Sequence, residues 1–188
     1  MSALALSSNN LIGPIPTSFG NLSNLITLHL HRNQLSGSIP QELGMLSSLS
    51  DHLDLSSNNL TGAIPTSLGN LSNLNTLFLF KNQFSGSIPQ ELGMLISLSS
   101  IDLAENNLIS AIPASLGNLS NLTLLSFFEN QLSSSIPCEL GMLSSLSDLD
   151  LSENNLTGVI HASLGNLSNL STLYIFSRTN FLGPSLKN

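Results

Sequence analysis

Leucines recur along the chain in short strings in which apolar and other residues alternate. In Leu28-His29-Leu30 and Leu77-Phe78-Leu79, a single non-leucine residue separates two leucines. Such alternation directs the leucines to one face of an extended strand and their neighbours to the opposite face. The strings therefore predict a series of short β-strands, each with one buried face and one open face.

Each string is followed by an asparagine, and these asparagines recur at a nearly constant interval. They are Asn9, Asn33, Asn58, Asn82, Asn106, Asn130 and Asn154, and we number the repeats one to seven by them. The interval is 24 residues, except for one of 25 whose extra residue falls near Asp51-His52. A constant period of this length indicates a solenoid, in which stacked coils share one core. We expect a single domain over residues 1–188, with seven to eight repeats of 24 residues and a degenerate end at 177–188.

The part of each repeat after the asparagine predicts a turn and then a short helical return. The asparagine amide suits a turn because it can bond to buried backbone groups. In the Leu-x-Gly-x-Ile-Pro that follows, glycine permits unusual dihedral angles and proline can open a helical turn. The remaining Leu-Gly-x-Leu-x-x-Leu has helical or 3₁₀ spacing and leads to the next strand.

Composition excludes several classes of protein. Leu, Ser and Asn supply 42, 35 and 22 of the 188 residues, and only 8% of residues are charged. The chain is too apolar for a disordered protein, and 4 Lys and Arg against 11 Asp and Glu argue against nucleic acid as a partner. No run approaches the ~18 apolar residues of a membrane span. The first basic residue is Arg32, so we expect neither a signal peptide nor a transmembrane segment within the chain.

The repeat resembles the plant-type leucine-rich repeat, Leu-x-x-Leu-x-x-Leu-x-Leu-x-x-Asn-x-Leu-x-Gly-x-Ile-Pro-x-x-Leu-Gly, from about Leu4 to Phe176. Single repeats such as Asn-Gln-Phe-Ser-Gly-Ser-Ile-Pro are similar to those of plant leucine-rich-repeat receptor kinase ectodomains. The resemblance implies an α/β fold: a right-handed solenoid (horseshoe) with a parallel sheet on the concave face and short 3₁₀ or helical turns on the convex face. It also implies a peptide or protein ligand and an extracellular position at the plasma membrane.

Departures from this family's pattern shape the interpretation. Family ectodomains carry a signal peptide, cysteine-paired caps, a membrane helix and a kinase, whereas this sequence has one cysteine, Cys138, and none of these features. We therefore expect an interior segment of such a receptor. Ser110 and Ser134 replace the glycine of the motif, and His161 replaces its proline.

The residues that alternate with the strand leucines form the face that could bind a partner. Between the two leucines, at the first facing position, are Ala5, His29, Asp54, Phe78, Asp102, Ser126, Asp150 and Tyr174. After the second leucine, at the second facing position, are Ser7, His31, Ser56, Phe80, Ala104, Phe128, Ser152 and Phe176. Rings in register suggest an interaction surface. Copying of one pair of repeats would produce the same columns without selection for binding, and Asp is also common in this repeat family, so both interpretations stay open.

Charge changes sign along this predicted face. Cationic and imidazole side chains lie in the early repeats, and carboxylates lie in the later ones, so the gradient would orient a partner. We predict an extended peptide, acidic toward repeats two to four and basic toward repeats five to seven, with a co-receptor as a further candidate partner. The predicted ligand-binding residues are His29, His31, Arg32, Phe78, Phe80, Lys81, Asp102, Glu105, Phe128, Glu129, Asp150, Tyr174 and Phe176.

Asparagine-linked glycosylation sequons form a second set of candidate sites. The acceptors are Asn21, Asn59, Asn70, Asn118, Asn121, Asn155, Asn166 and Asn169. Their use requires secretion.

Enzymatic and metal chemistry is not predicted. The sequence has no nucleophile elbow, no phosphate-binding loop and no kinase signature, and Cys138 has no evident base. His29, His31, His52 and Asp54 would suit Zn²⁺ chemically, but we expect the extra residue to disturb their register and therefore predict no metal site and no cofactor.

The favoured function is a peptide or protein recognition module in a plant receptor-like kinase or receptor-like protein of signalling or defence. Two alternatives remain: a secreted enzyme inhibitor of the polygalacturonase-inhibiting type, and a truncated gene product without independent function.

Overall fold

Each repeat folds into one coil made of a strand, a second strand and a 3₁₀ helix. The computed structural model describes residues 1–175 and the backbone of a strand at Asn180–Phe181. The predicted facing residue Phe176 lies outside the described residues. So does the predicted degenerate end at 177–188, apart from the backbone of Asn180–Phe181.

The strands that carry the Leu-x-Leu strings form one parallel sheet. They are β1 (Ala3–Ala5), β3 (Thr27–His29), β5 (His52–Asp54), β7 (Thr76–Phe78), β9 (Ser100–Asp102), β11 (Leu124–Ser126), β13 (Asp148–Asp150) and β15 (Thr172–Tyr174). Equivalent leucines pair between neighbouring strands, as Leu28 does with Leu4 and Leu53. Leu28, Leu53 and Leu77 are fully buried, so the core is a continuous leucine stack.

A second parallel sheet follows the repeat asparagines, and the sequence did not predict it. It contains β2 (Ile12–Pro14), β4 (Gln34–Gly37), β6 (Asn59–Gly62), β8 (Gln83–Ser87), β10 (Asn107–Ser110), β12 (Gln131–Ser134), β14 (Asn155–Gly158) and β16 (Asn180–Phe181). These segments are too short and polar to show a strand pattern in one repeat. They pair because stacking places identical segments of adjacent coils side by side.

The return segments are all 3₁₀ helices of five residues and form the convex side. They are η1 (Thr17–Asn21), η2 (Gln41–Met45), η3 (Thr66–Asn70), η4 (Gln90–Met94), η5 (Ala114–Asn118), η6 (Cys138–Met142) and η7 (Ala162–Asn166). The proline of the motif precedes the first six, and His161 replaces it before η7, where its Nδ1 accepts a hydrogen bond from the Ser163 amide at 3.1 Å. The architecture is therefore the predicted α/β solenoid. No helix among the described residues has the length and apolar character needed to cross a membrane.

The repeat asparagines join successive coils through their side-chain amides. Asn106 Nδ2 lies 3.1 Å from Leu79 O of the previous repeat and 3.1 Å from Leu103 O of its own. Its Oδ1 accepts a hydrogen bond from Phe84 N at 3.0 Å. The same pattern recurs from Asn33 to Asn154. The predicted bonding of these amides to buried backbone groups is thus confirmed.

The extra residue of the third repeat is absorbed immediately before strand β5. The amides of Asn75 and Thr76 donate to two carbonyls, those of Ser50 and Asp51, whereas the equivalent amides one repeat later, Ser99 and Ser100, share the carbonyl of Asn75. Strands β3 and β5 keep their pairing, with His29 opposite Asp54. The expectation that the insertion disturbs the register was therefore wrong for His29 and Asp54, whereas His52 has lost the pairing with Thr27 that its position keeps between β1 and β3 and between β5 and β7.

Candidate ligand-binding face

The first facing position lies on the solvent side of the first sheet, as alternation requires. His29, Asp54, Phe78, Asp102 and Asp150 are half-buried there, while Tyr174 on β15 is 58% exposed. Each packs sideways against its neighbours in adjacent repeats, and each retains surface toward the solvent.

From the second repeat to the seventh, the second facing position is open only where a ring occupies it. His31, Phe80 and Phe128 are half-buried, whereas Ser56 and Ala104 are 2% and 7% exposed. The expectation that small residues at this position are exposed was wrong, because the rings of the repeats on either side are larger and cover them. The rings therefore form ridges, and the small residues form the floors of the grooves between them.

The aromatic residues of the face stay outside the core. Among the described residues, the phenylalanines with fully buried side chains are Phe84, in β8 of the second sheet, and Phe127, directly after β11. Phe78 and Phe80 contact each other edge to face, with ring centroids 6.0 Å apart and planes at 64°. This pair forms an aromatic ridge in the fourth repeat.

The aspartates at the first facing position also hold the turn that follows them. Asp54 Oδ1 accepts hydrogen bonds from the amide of Ser56 at 3.0 Å and from its hydroxyl at 2.6 Å. Asp150 has the same two bonds with Ser152. Asp102 accepts a hydrogen bond from the amide of Ala104 at 3.0 Å but has no serine two residues later. Burial, opposed by bonds from Ala104 and Ser126, raises the pKa of its carboxyl above the ordinary value of 3.8. One carboxylate oxygen of each of these three aspartates thus holds the turn that follows it.

The predicted charge gradient lies on an edge column beside the face. The charged residues that directly precede repeat asparagines have positive φ angles of 52° to 55°. They are Arg32, Lys81, Glu105, Glu129 and Glu153. This left-handed turn projects their side chains along one border of the sheet. Lys81 Nζ and Glu105 Oε1 lie 3.3 Å apart at the point where the charge changes sign. The predicted ligand-binding residues within 1–175 therefore fall into two groups. The rings and aspartates lie on the face, and the Arg, Lys and Glu residues lie at its edge.

Two clefts on the face have opposite character. The first has a volume of about 390 Å³ and is lined by His31, Arg32, Asp54, Phe78, Phe80 and Lys81, with Ser56 and Ser57. The second, of about 250 Å³, is lined by acidic residues at Asp102, Asp148 and Asp150, together with Tyr174 and strand residues of β11, β13 and β15. A basic and aromatic cleft thus lies in the early repeats and an acidic cleft in the late ones.

Asp148 was missed by the sequence reasoning. It begins β13 two residues before Asp150, so alternation alone places both carboxylates on the same side of the sheet. The hydroxyl of Ser147 lies 2.6 Å from Asp148 Oδ2 and, with Thr172, lowers the pKa of the Asp148 carboxyl. Counting three outward positions in each strand instead of two would have found it.

Histidines of two repeats meet beside the first cleft. One ring nitrogen of His29, one of His31 and a carboxylate oxygen of Asp54 all lie within 4.8 Å of one another. His31 Nδ1 is 2.9 Å from Asp54 Oδ2. His52 is not part of this group, because its Nδ1 lies 2.8 Å from Asp51 Oδ1, although its ring centroid is 5.5 Å from that of His29. Burial, ahead of smaller opposing charge effects, lowers the pKa of His29.

The sequon asparagines are all exposed. Four of them, Asn21, Asn70, Asn118 and Asn166, end every second 3₁₀ helix, and exposed methionines occupy the same position in the helices between. The convex side is therefore sterically open to glycans and is separate from the strand face.

Comparison with known proteins agrees with this geometry. The Leucine Rich Repeat family matches the chain at residues 2–22, 24–46, 51–71, 73–95, 97–119 and 145–167. These segments make up more than half of the sequence, and the chain belongs to the leucine-rich repeat family. A search of curated proteins found no match.

Several solved structures of plant receptor ectodomains are similar to the chain. The plant peptide hormone receptor RGFR1, solved with RGF2, is 40% identical with a TM-score of 0.93; the match covers 96% of this chain and 29% of that one. The ectodomain of the Arabidopsis thaliana receptor kinase GASSHO1/SCHENGEN3, solved with CASPARIAN STRIP INTEGRITY FACTOR 2, is 39% identical with a TM-score of 0.92, over 96% and 21%. The Arabidopsis receptor kinase HAESA, solved with the peptide hormone IDA and the co-receptor SERK1, is 38% identical with a TM-score of 0.89, over 96% and 30%. The chain spans less than a third of the length of each.

Proposed function

We propose that this chain is the ligand-recognition part of a plant cell-surface receptor of signalling or defence, and that it binds an extended peptide along the first sheet. The observation that carries the proposal is the pairing of a basic, aromatic cleft in the early repeats with an acidic cleft in the late ones. The complexes of RGFR1 and HAESA with peptide hormones support the same ligand class. By the same resemblance, a co-receptor is a second partner.

Length and chemistry specify the peptide. Repeats two to seven span five strand spacings, or about 24 Å, which an extended peptide of seven or eight residues covers. Arg32 and Lys81 favour carboxylates over the early repeats, and Glu105, Glu129 and Asp150 favour Lys or Arg over the late ones. Phe80 and Phe128 offer apolar ridges between them, on which side chains of the peptide would anchor.

Selection from a random dodecapeptide display library against the 188-residue chain tests this proposal. Enriched peptides should carry acidic residues at one end and basic residues at the other. A chain with Phe80→Ser and Phe128→Ser should bind them at least tenfold more weakly, while the convex-side control Met94→Ser should bind unchanged. Peptides without charge order, or equal binding by the two variants, would refute the assignment of the site.

The location outside the cell and the glycans belong to the same proposal. The eight exposed sequon asparagines would be glycosylated on passage through the secretory pathway, and the strand face would stay clear because most of them lie on the convex side. Expression in plant cells behind a heterologous signal peptide, followed by glycosidase treatment and mass spectrometry, gives the occupancy of each asparagine. Absence of glycans at all eight asparagines would contradict this part of the proposal.

A further inference from the structure

The cluster of His29, His31 and Asp54 offers the donor atoms of a metal centre. Two imidazole nitrogens and a carboxylate oxygen lie within 4.8 Å of one another. Zn²⁺ takes these donor types at about 2.0–2.2 Å, so tetrahedral coordination places them about 3.3 Å apart. The three half-buried side chains start from paired strands β3 and β5 or from just after β3, so the closing distance is one that side-chain rotation would have to supply.

The carboxylate of the cluster is already oriented by bonds that a metal would not disturb. Ser56 donates its amide and its hydroxyl to Asp54 Oδ1. These bonds leave Oδ2 directed toward the imidazoles, 2.9 Å from His31 Nδ1. Such outer contacts hold a ligand in place and raise metal affinity.

One ring nitrogen of His29 has no use in the fold. His29 Nδ1 is buried and has no hydrogen-bond partner within the described part of the chain. A buried polar atom without a partner costs free energy, and coordination would remove that cost.

We propose that His29, His31 and Asp54 form a divalent transition-metal site, with Zn²⁺ as the ion that suits two nitrogens and one oxygen. The site borders the cleft of about 390 Å³ that contains His31 and Asp54. That cleft gives a fourth ligand, water or a donor of a bound molecule, access to the ion. The inference concerns the chain alone and does not depend on peptide binding.

The sequence repeat supplies a matched control for this site. Asp150 has the strand position of Asp54 and the same two bonds from a serine two residues later. Its neighbours across the sheet are Ser126 and Tyr174 instead of a histidine. Asp150→Asn therefore changes charge and turn bonding as Asp54→Asn does, without removing a ligand. Cys138 is an exposed free thiol, so every chain in the test carries Cys138→Ser.

The test is calorimetric titration of the chelator-treated chain with ZnCl₂. We expect one ion per chain, at least tenfold weaker binding in His31→Ala and Asp54→Asn, and unchanged binding in Asp150→Asn and in the exposed-histidine control His161→Ala. Co²⁺ in place of Zn²⁺ should give a visible ligand-field spectrum that His29→Gln alters, and circular dichroism verifies that each variant is folded. Absence of heat, or heat that persists in both His31→Ala and Asp54→Asn, would overturn the proposal and leave a plain His–Asp hydrogen bond.

Discussion

Removal of one repeat asparagine should destabilise the solenoid far more than removal of its sequence neighbour. Asn106 is 8% exposed and its side chain bonds to the preceding coil and to its own coil, whereas Asn107 is exposed. In Asn106→Ala the carbonyls keep other donors: Leu79 O retains Asn82 Nδ2, and Leu103 O retains Asn130 Nδ2. The amide of Phe84 loses its side-chain acceptor and stays buried. The loss of stability therefore comes mainly from one buried N–H group, that of Phe84, which is left without an acceptor.

The magnitude follows from this accounting. A buried donor left without a partner costs about 1–3 kcal/mol, and each lost bond to a carbonyl that keeps another donor costs about 0.5 kcal/mol, at the low end of the usual range. We expect the free energy of unfolding to fall by about 2–4 kcal/mol in Asn106→Ala. Asn106→Asp should be no better, because it keeps an acceptor for Phe84 but places a buried carboxylate against carbonyl oxygens.

Urea unfolding followed by circular dichroism measures the free energies, and hydrogen exchange reads the Phe84 amide directly. Asn107→Ala is the control and should lose less than about 0.5 kcal/mol, as an exposed substitution does. If Asn106→Ala and Asn107→Ala unfold at the same urea concentration, or if the Phe84 amide keeps its protection, the repeat asparagines do not stabilise the stack of coils as described.

Three further substitutions test the packing and charge of the coils. Gly93→Ala should lower the free energy of unfolding by about 1–3 kcal/mol, because a Cβ there meets the backbone carbonyl of Ser115 in the next coil; Gly165→Ala, where a Cβ meets no described atom within 4 Å, should be neutral in the same denaturant titration. Ser110→Gly should raise the midpoint of thermal unfolding, with a gain of about 0.5–1 kcal/mol, because φ is +71° at Ser110 and glycine relieves that strain; an unchanged midpoint would show that no strain is stored there. Ala104→Ser supplies Asp102 with the hydroxyl donor that its sister aspartates have, and should lower the raised pKa of Asp102 in an NMR titration. A raised pKa lowers stability as pH rises through it, so the Ala104→Ser variant should be more stable than the wild type at pH 7, and the difference should vanish below the ordinary pKa of 3.8; a difference that persists at pH 3 would contradict the mechanism.

The positions of the strands in the first sheet were predictable because the same alternation of leucines recurs in each repeat. The alternation around Leu28 and Leu53 places His29 and Asp54 outward in any parallel pairing, and the pairing observed agrees. The bonding of the repeat asparagines was predictable for the same reason. An amide side chain that recurs at the same position of each turn is expected to bond to the backbone groups of that turn. Exposure at the second facing position was not predictable, because Ser56 and Ala104 are covered by side chains from other repeats.

Local periodicity was sufficient for the class of fold, the coil length, the leucine core and the columns of rings and carboxylates, because each depends on residues a few positions apart. The second sheet, the edge column of charge and the convergence of His29, His31 and Asp54 depend on how one coil sits upon the next. A single inserted residue near Asp51 could have moved Asp54 away from the histidines. The separate hydrogen bonds to the carbonyls of Ser50 and Asp51 absorbed the extra residue instead. Only packing between coils could decide whether Asp54 stayed beside the histidines.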